Sequence, residues 1–91
     1  MKNVQGMIKK MQKNMEDAQN KIKSMIVEGS AGGDMVIAKV NGNSELISLK
    51  IEKEVVNPDD IEMLQDLIVA AVNDAVNKAG EKAAAEMEKV T

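Results

Sequence analysis

Apolar residues recur at helical spacing in two long stretches of this chain and alternate in two short stretches between them. The longest apolar run lies in Asn57 to Ala79. Ile61, Leu64, Leu67, Ile68, Ala71, Val72, Ala75, Val76 and Ala79 follow one another at steps of three and four, the face of an amphipathic helix. Val69 and Ala70 widen it. A stripe this wide predicts a helix touched from two sides, by its own sheet and by a further surface. Near the N-terminus, Val4, Ile8, Met11, Met15, Ala18, Ile22 and Met25 alternate steps of four and three, a coiled-coil-like seam about three heptads long. A helix of about 20 residues is ~30 Å long. A short sheet cannot cover all of it, so part of the seam must meet another helix or remain an exposed stripe.

Between the helices the period changes to two. Ile26 and Val27 before Gly29 predict a short first strand, and 29–33 (G-S-A-G-G) predicts a flexible connection. That connection lacks the Gly-Lys-Ser/Thr ending of a phosphate loop and leads into a strand. Val36, Ala38 and Val40 alternate with Met35, Ile37 and Lys39. Asn41-Gly42 predicts a type I′ hairpin turn, whose central residues need positive φ. In 45–53, Ile47, Leu49 and Ile51 are expected on the buried face and Ser48, Lys50 and Glu52 outside. Val55-Val56 closes the sheet. Asn57 is expected as N-cap of the last helix with Pro58 at its first position. Asp59, Asp60 and Glu62 then place negative charge near the positive end of the helix dipole. Helix-forming residues continue beyond Gly80, a bend or a fraying point: a helix continuous to Lys89 would project its distal half past the sheet, and the alternative is a simple solvated tail.

The pattern amounts to one α+β domain over 1–91, ordered α-β-β-β-α, with an antiparallel three-stranded sheet between two long helices. Composition adds a reason to associate. The chain has 91 residues, eight Met and no Phe, Trp or Tyr, so the core lacks its usual bulky members. Met fills space but specifies packing weakly. The wide stripe of Leu64, Leu67, Ile68, Ala71, Val72 and Ala75 is the expected dimer interface. Asn73-Asp74 within it is either a polar interface pair or a solvated one.

Charge is segregated along the chain. The net charge is -3, yet residues 1–27 hold Lys2, Lys9, Lys10, Lys13, Lys21 and Lys23 against only Glu16 and Asp17. The basic segment calls either for an anionic partner or for nothing more than water around a helix. The chemistry inventory is short. With no His and no Cys the usual nucleophile–base pairs and the commonest zinc ligands are absent. No catalytic residue, metal site or cofactor is expected. The lack of Cys fits a reducing compartment, and no apolar run suits a membrane span or a signal peptide. The expectation is a cytoplasmic protein without a small-molecule substrate.

The wording of the whole chain resembles the YbaB/EbfC family of bacterial nucleoid-associated DNA-binding proteins. The resemblance rests on Met7-Ile8-Lys9-Lys10-Met11-Gln12-Lys13-Asn14-Met15, on Val27-Glu28-Gly29, on the V-x-x-x-V-N-G of Val36 to Gly42, and above all on Leu64 to Ala75. The last is similar to the family's L-x-D-L-x-x-A-A-x-N-D-A core. The resemblance implies an intertwined homodimer whose central helices and sheets associate while terminal helices project as arms. It implies a nucleoid location and binding of double-stranded DNA with little sequence preference. It also implies effects on nucleoid organisation and gene expression. Here the third strand carries Ile47-Ser48 where many members carry basic residues. The chain reaches Thr91 with Glu86 and Glu88 close by, without the Gly/Pro-rich tail of many members. Lys9, Lys10 and Lys13 are the leading DNA-contact candidates, then Lys2, Lys21 and Lys23. The competing reading is a dimeric adaptor that binds another protein through the Met-rich first helix.

Overall fold

A computed structural model describes residues 2–90 of the chain, with side chains for 4–90. The order is α1 (Lys2–Ser24), β1 (Ile26–Ala31), β2 (Val36–Asn41), β3 (Leu46–Ile51), a 3₁₀ turn at Lys53–Val55, and α2 (Ile61–Glu88). The strands form one antiparallel sheet in the order β1-β2-β3. The sheet lies between the helices in chain order, and α2 alone covers a face of it, packing on β1 and β2. The molecule measures 71 × 16 × 16 Å with a radius of gyration of 18.6 Å. A compact chain of this length would have a radius of about 12 Å, so the fold is a rod.

The core is made of small side chains. Val27, Val36, Ala38, Val40 and Val55 from the sheet side meet Ala71, Ala75 and Ala79 of α2, all buried. Gly29 explains how the layers come so close. A Cβ there would overlap the backbone of Ala71 and Ala75, so β1 lies against the α2 backbone itself. Leu64, Leu67, Ile68, Val72 and Val76 pack around this contact, half-buried. Asp74 completes it: its carboxylate accepts the Ser30 amide at 3.1 Å and the Lys78 ammonium at 2.9 Å. The Asp74 side chain is therefore not simply solvated. It satisfies a backbone donor on β1, which lies at the edge of the sheet.

Several local expectations are corrected. α2 does not start at Asn57-Pro58. Asn57 uses its side chain to accept the Asp59 amide at 3.0 Å, and its carbonyl accepts the Asp60 amide at 2.9 Å. Asn57 to Asp60 is thus a turn with Pro58 inside it, an arrangement that competes with helix. Asp60 is the N-cap, its carboxylate accepting the Met63 amide at 3.1 Å. β1 runs through Gly29 to Ala31, and the connection narrows to Gly32, Gly33 and Asp34, all at positive φ. Val55-Val56 does not close the sheet, since Val55 ends the 3₁₀ turn, buried, and Val56 is exposed.

The hairpin between β2 and β3 is not type I′. Ser44, not Asn41 or Gly42, has positive φ, and the Ser44 amide donates to the Asn41 carbonyl at 3.0 Å. This is the three-residue hairpin connection. Asn41 organises it while buried: its Oδ1 accepts the amides of Asn43 and Glu45, and its Nδ2 donates to Glu45 Oε1 at 2.8 Å. Gly42 is needed for a different reason. Its amide donates to the Ile22 carbonyl at 3.0 Å, and a Cβ would overlap Ile22. The expected burial of Ile47 also fails. Ser48 pairs with Lys39 but Leu46 pairs with Val40, so Ile47 is the extra residue of a bulge. Leu46 and Ile47 are both exposed.

α2 runs unbroken through Gly80, whose Cβ position is open space. Beyond Ala79 it leaves the sheet and meets α1 near Ala18 and Lys21.

Candidate nucleic-acid interface

The basic residues ride on α1, a helix of 23 residues held at one end. Its last turns are fixed by Ala18 and Ile22, each 6% exposed, and by the Gly42 hydrogen bond to Ile22. Earlier turns are uncovered. Val4, Met7, Ile8, Met11 and Met15 range from 44% to 64% exposed. The seam expected from the sequence is thus filled within this chain only at its C-terminal end.

The lysines divide by partner. Lys9, Lys10 and Lys13 are exposed and, among the described residues, have no carboxylate within ion-pair distance. At about 100° per residue, Lys13 falls on the face of α1 opposite Ile8, Met11 and Met15, with Lys9 and Lys10 on either side of it. Lys23 is also exposed, beside Gln19, Asn20 and Asn43. Lys21 differs. Its ammonium lies 3.0 Å from Glu86, which Lys89 also reaches at 3.2 Å. The hydrogen bond from Lys21, then that from Lys89, holds the Glu86 carboxyl below the ordinary glutamate range. Lys21 therefore ties α1 to α2, and sequence spacing gave no sign of it because Glu86 lies 65 positions away. The Lys2 side chain lies outside the described residues.

Acidic groups gather at the other end of the rod. Asp60, Glu62 and Asp66 surround a shallow depression with Met63, Leu67 and Ala70 near the start of α2. That is about 40 Å along the helix from Val90, and surface charges are largely screened beyond about 10 Å at 0.1 M salt. Those three carboxylates are thus screened from the lysines of α1, whereas Glu16 and Asp17 on α1 itself and Glu86 of α2 lie nearer to them.

The candidate dimer residues also divide. Ala71 and Ala75 are 0% exposed within the single chain and have no surface left to offer. Leu64, Leu67, Ile68 and Val72 are half-buried and retain some. No helix among the described residues is long and apolar enough to cross a membrane.

Comparison with known proteins agrees with this architecture. The chain is 50% identical over 91 residues to a nucleoid-associated protein of Alkaliphilus metalliredigens, covering 100% of this chain and 80% of that one. It is 52% identical over 83 residues to a nucleoid-associated protein of Syntrophobacter fumaroxidans, covering 91% of this chain and 76% of the relative. The fold matches the crystal structure of an uncharacterized protein from Helicobacter pylori with a TM-score of 0.79 and 26% identity, over 98% of this chain and 94% of that one. The model of the YbaB/EbfC DNA-binding family matches residues 1–91, and with relatives this similar the chain belongs to that family.

Proposed function

We propose that this protein binds double-stranded DNA as a homodimer with little sequence preference, through phosphate contacts from the lysines of α1. The observation that carries the reading is the unpaired set Lys9, Lys10 and Lys13 on an exposed helix, in a chain of a DNA-binding family. Lysine is a flexible point charge, suited to phosphate and poor at fixing a base edge, so such contacts position the protein without reading sequence. The homodimer reading rests on Leu64, Leu67, Ile68 and Val72, whose apolar surface the sheet leaves half-covered. Two copies would present two basic helices to one duplex. A nucleoid location and an influence on gene expression follow from the same reading. No enzymatic role is proposed, since the family is one of DNA binding and the chain lacks His and Cys.

Gel shifts at two salt concentrations test the DNA reading. The logarithm of the binding constant is expected to fall with the logarithm of salt with slope about -0.9 per phosphate contacted. A Lys9/Lys10/Lys13→Glu variant is expected to weaken binding and flatten that slope while sedimenting as wild type does. Equal binding with an equal slope would refute the assignment. In that case the adaptor reading of α1 takes its place.

A further inference from the structure

Lys21 stands apart from the other lysines of α1 and shares its partner with Lys89 at the end of α2. Both side chains are open to water, 61% and 65% exposed, and both ammoniums reach the carboxylate of Glu86, at 3.0 Å and 3.2 Å. The Glu86 side chain itself is only 13% exposed. With so much of each lysine exposed, no bulk shields them. What stands between them and an anion arriving from solvent is one carboxylate.

The place of Lys21 on α1 gives that pairing a consequence. At about 100° and 1.5 Å per residue, Lys21 lies on the same flank of α1 as Lys10, ~16 Å further along. A duplex tracking Lys9, Lys10 and Lys13 toward the body of the protein would next meet Lys21, and then Lys89 across the cleft between the helices. Within that cleft Lys21 and Lys89 stand with Asp17 and Glu86, so the charges cancel. A phosphate finds no net positive charge there to release its counterions. To reach either ammonium it must displace the Glu86 carboxylate and then lie beside it, which like-charge repulsion opposes.

We propose that Glu86 is a positioning residue for DNA: its carboxylate takes the place of a phosphate between Lys21 and Lys89 and ends the basic track of α1 at the mouth of the α1–α2 cleft. DNA contact is thereby confined to the free part of α1, and the ion pairs that hold α1 against α2 stay in place when DNA is bound. The inference rests on the reading of Lys9, Lys10 and Lys13 as DNA contacts and narrows it, by withholding Lys21. In Glu86→Gln the side chain keeps its shape and loses its charge, and both lysines join the track.

Competitive acetylation with acetic anhydride, read lysine by lysine by mass spectrometry with and without a short duplex, tests the proposal. In the wild-type protein the duplex is expected to protect Lys9, Lys10 and Lys13 and to leave Lys21 and Lys89 at their DNA-free rates. In Glu86→Gln, Lys21 and Lys89 should gain at least about threefold protection, and the slope of log binding constant against log salt should steepen by up to about 1.8 for the two lysines. Glu16→Gln removes an equal charge from an exposed position on α1 and should leave Lys21 and Lys89 unprotected. Circular dichroism checks that the variants fold. Lys21→Gln in the wild-type background gives a reading that does not depend on Glu86→Gln, and its salt slope should match that of wild type. Protection of Lys21 or Lys89 in the wild-type protein, a flatter slope in Lys21→Gln, or protection of Lys9, Lys10 and Lys13 alone in Glu86→Gln would overturn the proposal and leave the DNA reading standing. Protection of no lysine of α1 in either protein would refute the DNA reading and this proposal with it.

Discussion

The two helices carry similar apolar periodicity and reach opposite ends. α2 presents alanines every four residues, and Ala71, Ala75 and Ala79 are wholly buried. α1 presents Ile8, Met11 and Met15 at comparable spacing, and each is 44% exposed or more. The difference is not hydrophobicity, since Met and Ile bury more apolar area than Ala. It lies in what stands opposite. α2 meets a strand whose Gly29 removes the Cβ layer, so backbones touch and small side chains fill the space. α1 leaves the sheet at Ser24 and passes only the end of α2. A helix face becomes core where a surface of matching depth faces it, and otherwise remains an interface in waiting.

The comparison can be broken most forcefully at Gly29. A Gly29→Val side chain would overlap Ala71 and Ala75, with no flexible side chain to move aside. The expected loss exceeds the 1–3 kcal/mol typical of overpacking, enough to leave a domain of this size largely unfolded. Thermal melts by far-ultraviolet circular dichroism read it, and a melt like wild type would refute the close-packing account. Ile22→Ala attacks the larger of the two buried anchors of α1. A loss of about 2–4 kcal/mol is expected, with fraying of α1 but survival of α2, which hydrogen exchange can resolve.

Acid should loosen both helices by a smaller amount. The Lys78 hydrogen bond, then the Ser30 amide, hold Asp74 below the ordinary aspartate range, as Lys21 and Lys89 hold Glu86 below that of glutamate. A carboxyl with a lowered folded pKa contributes stability above its unfolded pKa and loses it as pH falls through the folded one. Stability should therefore drop as pH falls from about 5 through the ordinary carboxylate range and below it, and less steeply in Asp74→Asn/Glu86→Gln. Identical acid profiles would show that neither carboxylate ties its helix. The smallest effect belongs to the α1 stripe. Met11→Gln at 64% exposure should change the stability of the isolated chain by no more than about 0.5 kcal/mol. A loss of several kcal/mol would mean that Met11 is already packed, and α1 and α2 would then not differ.

The sequence by itself determined the element order and the two helical stripes. Period and propensity are local properties, and each is written in neighbours within one or two turns. The sequence also determined the basic first helix, because lysines at 9, 10 and 13 share a helix wherever it points. Tertiary structure decided what each pattern was for. Asn41-Gly42 reads locally as a positive-φ pair, yet Gly42 is required by the Ile22 carbonyl 20 positions away. Gly29 and Asp74 acquire meaning only when β1 lies on α2. Lys21 acquires its role as a tie between the helices only when Glu86 arrives beside it. Burial, ion pairing and close backbone approach depend on partners distant in the chain, and hydrophobic periodicity names a face without naming what will cover it.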